Sequence, residues 1–221
     1  MMDIQNAADG KLKPGEASAI FLTLHADITD LYPYVQVPGS KTVGYPNPTY
    51  LAPGARRGLV RAIFAFIEGC MYFQRQMLLG SWGERLSEAN RMALSELQIE
   101  VTGQGEVQAR VMRTGALNLI RLTVRSFEGA VPGRLGIRCE GAGFEALARS
   151  VKVRDRLMHP KGIASLAVSD VEINDVVDAF LWVDDLQGAM TRASTEEMLK
   201  QLREEHGLEL RIEFRNEAFG A

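Results

Sequence analysis

The feature that most constrains the fold is a long apolar pattern with helical spacing between Arg56 and Leu79. Its apolar side chains recur at i, i+3 and i+4, at Leu59, Val60, Ile63, Phe64, Ile67, Met71, Met77 and Leu78. Phe66, Cys70 and Phe73 widen this stripe, so the helix is expected to be covered on most sides. Because such a helix packs at the centre of a bundle, the chain is predicted to be mainly α, an antiparallel up-and-down helical bundle with a few short strands.

The same segment is too polar to cross a membrane, since a spanning helix needs about 20 predominantly apolar residues. It carries Arg61, Glu68, Gln74, Arg75 and Gln76. A content of 46% apolar and 24% charged residues is typical of a globular protein and excludes a disordered chain. The first residues hold no apolar run and predict no signal peptide.

The two cysteines give a weak indication of location. Cys70 lies in the apolar helical pattern, and Cys139 has no second cysteine at metal-knuckle spacing. We interpret both as reduced thiols of a cytoplasmic protein without a membrane partner, with a disulfide between them as the alternative. No cofactor and no metal site are expected. His25 and His206 lie outside any ligand spacing and are interpreted as surface residues.

Turn formers divide the chain. Prolines and glycines punctuate residues 1–54, which predicts an irregular N-terminal arm in which Ala19–Ala26 forms a short strand or helical turn. Residues 55–206 are expected to form the bundle, and 207–221 a C-terminal tail or strand. Within the bundle, helices are predicted over about 84–97, 117–127, 144–158 and 169–206, with a hairpin between Gln98 and Arg113.

Charge is segregated along the chain. Residues 110–161 hold 11 Lys/Arg and 4 Asp/Glu, whereas residues 170–213 hold 4 Lys/Arg and 12 Asp/Glu. One interpretation is ion pairing between neighbouring helices. The other is a basic face for a phosphate backbone.

The candidate chemistry lies at the end of the third of these helices, in the sequence Arg154-Asp155-Arg156-Leu157-Met158-His159-Pro160-Lys161. On a regular helix Arg154 and His159 would point about 140° apart. His159, however, precedes a proline, a position that disfavours helical backbone. The helix is therefore predicted to end near Met158, which lets the imidazole swing toward the guanidinium.

These two side chains have complementary chemistry. An arginine offers a planar fork of donors that suits a phosphate, and a histidine moves protons near neutral pH. Together they suit metal-free attack of a ribose 2′-hydroxyl on the adjacent phosphodiester, with backbone contacts from Lys152, Arg156 and Lys161. The structural alternative is that the basic residues interact with the helix C-terminus and that Arg154 pairs with Glu68 or Asp155.

The stretch resembles the HEPN family (higher eukaryotes and prokaryotes nucleotide-binding domains), whose hallmark is an Arg, a polar residue, a few more residues and a His at a helix end. The resemblance covers roughly residues 55–190, including Ala65-Phe66-Ile67-Glu68 and Ser169-Asp170-Val171-Glu172. It implies an all-α bundle in which Arg154 and His159 are the catalytic pair. Asp155 carries over as the polar neighbour, where Asn is more typical, and Glu68 as the partner that orients Arg154.

The resemblance implies one of two functions. The first is a metal-independent endoribonuclease of toxin or defence type, a homodimer with RNA as substrate and an antitoxin-like protein as a further partner. The second is a catalytically inactive HEPN-like module for RNA binding, dimerisation or scaffolding. A third interpretation is a structural helical protein in which the motif is coincidental.

Overall fold

A computed structural model describes residues 16–37, 42–133 and 135–207 of the 221-residue chain. Helices dominate these residues, which confirms the mainly α prediction. Within them the α-helices are α1 (Glu16–Leu31), α2 (Pro53–Ser81), α3 (Glu88–Leu94), α4 (Ala116–Ala130), α5 (Gly141–Met158) and α6 (Asp170–His206). Two antiparallel strand pairs accompany them: β1 (Val35–Gln36) with β2 (Val43–Gly44), and β3 (Leu97–Val101) with β4 (Val107–Val111).

Helix α2 is the centre of the fold, as its wide apolar stripe predicted. It packs against α1, α4, α5 and α6. Its buried apolar side chains cover about 160° of its circumference, at Leu59, Val60, Ile63, Phe64, Phe66, Ile67, Cys70, Met71 and Leu78, and the partly buried Ala62 and Met77 also pack against the core. This helix therefore contributes a large share of the buried apolar core, which it forms together with α1, α4, α5 and α6.

Polar contacts between facing helices give their directions. Two pairs show that α5 and α6 run antiparallel, as an up-and-down order predicts: Arg149 with Asp175, and Arg156 with Glu172. Two others show that α2 and α6 run in the same direction: Arg56 with Asp170, and Gln74 with Gln187. Both relations agree with a simple alternation of directions along the chain, because neighbouring helices such as α5 and α6 then run antiparallel, and helices four places apart, such as α2 and α6, run in the same direction.

The N-terminal arm is not irregular over its whole length. Residues 16–31 form helix α1, where a short strand or helical turn was expected within Ala19–Ala26. Helix α1 lies antiparallel on α2, and the two approach closely at Gly69, where a Cβ atom would lie 2.7 Å from Leu24 Cδ1. The helix forms because its apolar side chains Phe21, Leu24 and Ile28 are buried or partly buried against the core.

The helix predicted over about 84–97 is shorter in the structure. A 3-10 turn at Gly83–Arg85 precedes α3, which begins after Ser87, whose hydroxyl accepts a hydrogen bond from the Asn90 N–H. The chain leaves the helix at Glu96, whose φ of 57° lies in the left-handed region. The predicted hairpin follows as β3 and β4, which confirms the alternating pattern of that segment.

This second hairpin is amphipathic, with its apolar face outward. Its apolar positions face one another across the strands, and Ile99, Val101, Val107 and Val111 are each more than 60% exposed. Its other face carries the Glu100–Arg110 ion pair. These apolar side chains add nothing to the core, which lies among the helices.

Local signals set both ends of α6. Ser169 and Glu172 form the predicted capping box, in which each side chain accepts a hydrogen bond from the other residue's backbone N–H. Gly207 ends the helix in a left-handed conformation, with φ of 63°. The strand expected beyond it falls on residues 208–221, outside the described part of the chain.

Candidate active site at the end of helix α5

Arg154 is held in place by two carboxylates. Its Nη1 donates to Asp155 Oδ1 at 2.9 Å, and its Nη2 forms an ion pair with Glu68 on α2. The hydrogen bond with Asp155 raises the pKa of the Arg154 guanidinium, and the charge of Glu68 raises it further. Glu68 therefore contacts Arg154 from α2, which is the contact that the resemblance implied. The same contacts are also those of the structural alternative.

A cavity of about 620 Å³ opens beside Arg154, between α2, α4 and α5. Glu68, Arg154 and Asp155 line one part of it. Its walls are largely apolar, formed by Phe64, Ile67, Met71, Leu119, Ile120, Leu147 and Val151. A volume in the range of small-molecule sites, apolar walls and a few polar groups are the usual features of a binding pocket.

A second ion pair lines the same cavity. Arg75 Nη2 donates to Glu96 Oε1 at 2.7 Å. Only 6% of Arg75 is exposed, and its Nε is buried without a hydrogen-bond partner. Burial lowers the pKa of the Arg75 guanidinium, while Glu96 acts in the opposite direction. A buried donor without a partner is costly, so this arginine calls for an explanation.

His159 is the first residue after α5. The helix ends at Met158, as the following proline predicted, and the His159 N–H donates to the Asp155 carbonyl at 3.0 Å. The imidazole is exposed. It is not among the hydrogen-bond partners of Arg154, and it does not line the cavity. The structure thus brings Arg154, Asp155 and Glu68 together and leaves His159 on the adjoining surface.

The three predicted RNA contacts differ in their surroundings. Lys152 and Lys161 are exposed. Arg156 instead joins α5 to the start of α6, since its Nη2 donates to the Ala167 carbonyl at 2.8 Å and to Glu172 at 2.9 Å. Burial alone would raise the pKa of the Glu172 carboxyl, but hydrogen bonds from the Ser169 backbone and from Arg156 lower it below its ordinary value. With the Arg149–Asp175 pair, this contact shows that part of the charge segregation is pairing between α5 and α6.

Sequence reasoning assigned no role to Arg75 or Glu96. The available signal was Arg75 itself, a charge inside the most apolar helical pattern of the chain. Glu96 gave no signal, because its place beside Arg75 depends on how α3 ends and β3 begins.

The prediction that His25 is a surface residue is wrong, whereas His206 is exposed as expected. His25 is 8% exposed, and its ring lies 5.9 Å from the rings of both Phe66 and Phe180. These aromatic neighbours come from α2 and α6, so no pattern local to His25 indicates them. Cys70 and Cys139 are both free, as expected, and burial raises the pKa of each thiol.

Replacing Asp184 by asparagine is expected to stabilise the protein at neutral pH. Burial raises the pKa of the Asp184 carboxyl above its ordinary value of 3.8, with an opposing effect of His25 and a further rise from Asp185. A carboxyl with a raised pKa favours the folded state only while it is protonated, so its charge costs stability as pH rises through the folded pKa. The denaturant midpoints of the wild type and of Asp184→Asn, compared at neutral pH and at a pH near 3.8, measure this effect on stability.

The expected gain in stability of Asp184→Asn over the wild type is largest at neutral pH and decreases as the pH falls, because Asp184 then becomes protonated. Asp185→Asn is the matched control, because the neighbouring Asp185 is exposed. An equal effect of both substitutions, or a loss of stability for Asp184→Asn at neutral pH, contradicts this prediction.

Among the described residues, 16–37, 42–133 and 135–207, no cluster of three or more His, Cys, Asp and Glu side chains is arranged to hold a metal ion. None of the helices in these ranges is long and apolar enough to cross a membrane.

No protein-family model, no curated protein and no solved structure matches the chain. The HEPN resemblance therefore rests on the residues of this sequence, above all on the motif from Arg154 to His159.

Proposed function

We propose that the protein is a metal-independent endoribonuclease of the HEPN type, in which Arg154 binds the scissile phosphate and His159 transfers a proton. One observation carries the proposal: a guanidinium fixed by Glu68 and Asp155 and an exposed imidazole occupy the same helix end. This supplies a phosphate-binding group and a group for proton transfer within one short segment.

The reaction needs no other reagent. The ribose O2′ attacks the adjacent phosphorus, the bond from phosphorus to the O5′ leaving group breaks, and the 2′-hydroxyl proton is replaced by one on O5′. The products are a 2′,3′-cyclic phosphate and a 5′-hydroxyl. Arg154 stabilises the charge that develops on the phosphate oxygens. Because one imidazole performs one of the two proton transfers at a time, a second imidazole at the same site favours the reaction.

A second copy of the chain would supply that imidazole. The segment around His159 exposes three large apolar side chains: Met158 (55% exposed), Ile163 (86%) and Val171 (71%). Apolar side chains exposed beside a catalytic group are typical of an interface. Pairing of two copies across this segment would cover them and bring two Arg154/His159 pairs to one cleft.

The proposal is tested with the purified protein and total cellular RNA in EDTA, alongside an oligonucleotide and its 2′-deoxy analogue. We expect the RNA to be cut and the 2′-deoxy analogue to stay intact, because it lacks the attacking hydroxyl. The fragments should carry 2′,3′-cyclic phosphates. Cleavage of the deoxy analogue, or cleavage only with added divalent metal, would contradict the mechanism.

The second candidate is a catalytically inactive HEPN-like module that binds RNA or a partner. One observation favours it: both terminal nitrogens of Arg154 are already engaged by carboxylates. An RNA phosphate has to compete with Asp155 and Glu68 for this guanidinium. RNA that is bound and never cut, with intact RNA recovered from the complex, would favour this candidate.

A further inference from the structure

The cavity beside Arg154 has two polar ends. One end is Arg154 with Glu68, and the other is Arg75 with Glu96. Glu68 and Arg75 both lie on α2, seven residues apart, so the two ends are separated by about 10 Å along the helix axis. A ligand that spans them has to be about as long as one nucleotide, and the volume of about 620 Å³ accommodates one.

The far end offers one acceptor group and several donors. The Glu96 carboxylate is 45% exposed and lines the cavity, so it can accept hydrogen bonds from a ligand. Arg75 lies nine-tenths buried beside it and donates from Nη2 to Glu96, so its remaining terminal N–H groups are the donors that it offers to a ligand. Gly115 and Ala116, at the start of α4, also line the cavity, and no side chain caps this helix. The free backbone N–H groups of its first turn add donors.

We propose that this cavity binds the guanine base of the nucleotide whose 3′-phosphate is held by Arg154, so that the enzyme cuts on the 3′ side of guanosine; this rests on the proposed function. Guanine presents two adjacent donors, N1–H and N2–H, to one carboxylate, which here is Glu96. It also presents the acceptors O6 and N7, the pair that an arginine binds bidentately, and Arg75 supplies the donors.

The other bases match this pair less well. Adenine and cytosine each offer a single exocyclic amino group to Glu96, and uracil offers one ring N–H. None of them places two donors side by side. Each therefore makes one hydrogen bond to the Glu96 carboxylate where guanine makes two, and the lost charge-assisted hydrogen bond weakens its binding relative to guanine.

Tyr72 completes the pocket. Its side chain lines the cavity, is 41% exposed, and lies with its ring centroid 5.9 Å from the Arg75 guanidinium. An exposed aromatic ring is a stacking surface for any base. Tyr72 therefore contributes affinity, whereas Glu96 and Arg75 contribute the choice of base.

The test measures binding of the four nucleoside 3′-monophosphates to the full chain by titration calorimetry, so it does not depend on cleavage. We expect guanosine 3′-monophosphate to bind at least tenfold more tightly than the other three. Glu96→Gln should remove that preference for guanosine 3′-monophosphate. Tyr72→Ala should lower the affinity for all four nucleotides by a similar factor. Glu100→Gln, in the adjacent strand, is the matched control and should bind as the wild type does.

The outcomes separate the two proposals. Equal binding of all four nucleotides, a preference for another base, or a guanine preference that survives Glu96→Gln overturns the base pocket even if the protein cuts RNA in EDTA. A guanine preference that depends on Glu96 in a protein that never cuts RNA supports the pocket and overturns the endoribonuclease proposal. A thermal unfolding curve for each variant identifies any that fails to fold, and Glu96→Asp then replaces Glu96→Gln as the test.

Discussion

Replacing His159 by alanine is expected to slow metal-free RNA cleavage by about 10²- to 10⁴-fold, the contribution typical of a general acid or base. The imidazole is exposed at the helix end and donates no side-chain hydrogen bond to the described part of the chain. Its removal therefore takes away proton transfer without opening a cavity in the core. Cleavage rates in EDTA for wild type and variant, with unfolding midpoints for both, measure the two effects separately.

His206→Ala is the matched control, since His206 is an exposed histidine in the last turn of α6. It should cut RNA at the wild-type rate. If His159→Ala also retains the wild-type rate, the cleavage comes from another group or a contaminant, and the assignment of His159 is wrong. If His159→Ala binds RNA as tightly as wild type while losing cleavage, the role of the imidazole lies in the chemical step.

Strong local signals were enough to predict the helices that build the site. The stripe of α2 specifies a central helix, and the Ser169/Glu172 capping box and Gly207 define the ends of α6. Pro160 was equally informative, because it predicts that α5 ends before His159. Each of these features is encoded within a few residues of where it acts, so a single sequence shows it.

Helix α1 was missed because the arm was judged by its prolines and glycines. None of these prolines and glycines lies within residues 16–31, so they bound the helix and do not interrupt it. The helix forms by packing Phe21 and Leu24 against α2, a contact between segments about 45 residues apart. The outcome depends on tertiary packing, which propensity alone does not supply.

In the candidate site, too, some contacts follow from local sequence and others depend on tertiary packing. The Arg154–Asp155 contact is local, and Glu68 was expected beside Arg154 both from the family resemblance and as part of the structural alternative. The Arg75–Glu96 pair joins the last third of α2 to the turn before β3. In this turn the backbone of Glu96 adopts the left-handed conformation. Such a conformation costs a non-glycine residue about 1 kcal/mol or more. The sequence carries no sign of that cost, so only the structure shows the second polar end of the cavity.

Replacing Phe180 by alanine is expected to destabilise the protein by about 3–5 kcal/mol, the range for a buried aromatic residue in a core. Phe180 is fully buried on α6, and its ring meets those of Phe66 and Tyr45 edge-on at centroid distances of 5.2 and 5.5 Å. His25 of α1 lies 5.9 Å away. The substitution therefore leaves a void where α1, α2 and α6 meet the chain just after β2.

Denaturant unfolding of the variant measures the loss, and Leu181→Ala is the control. Leu181 is the next residue on the same helix and is 40% exposed, so its substitution should lower the free energy of unfolding by about 1 kcal/mol, well below the loss for Phe180→Ala. Because the void lies beneath α1, native-state hydrogen exchange should also show faster exchange of the α1 amides in Phe180→Ala. Similar losses for the two variants, or an α1 that exchanges as slowly as in wild type, would show that this aromatic cluster does not hold α1 on the bundle.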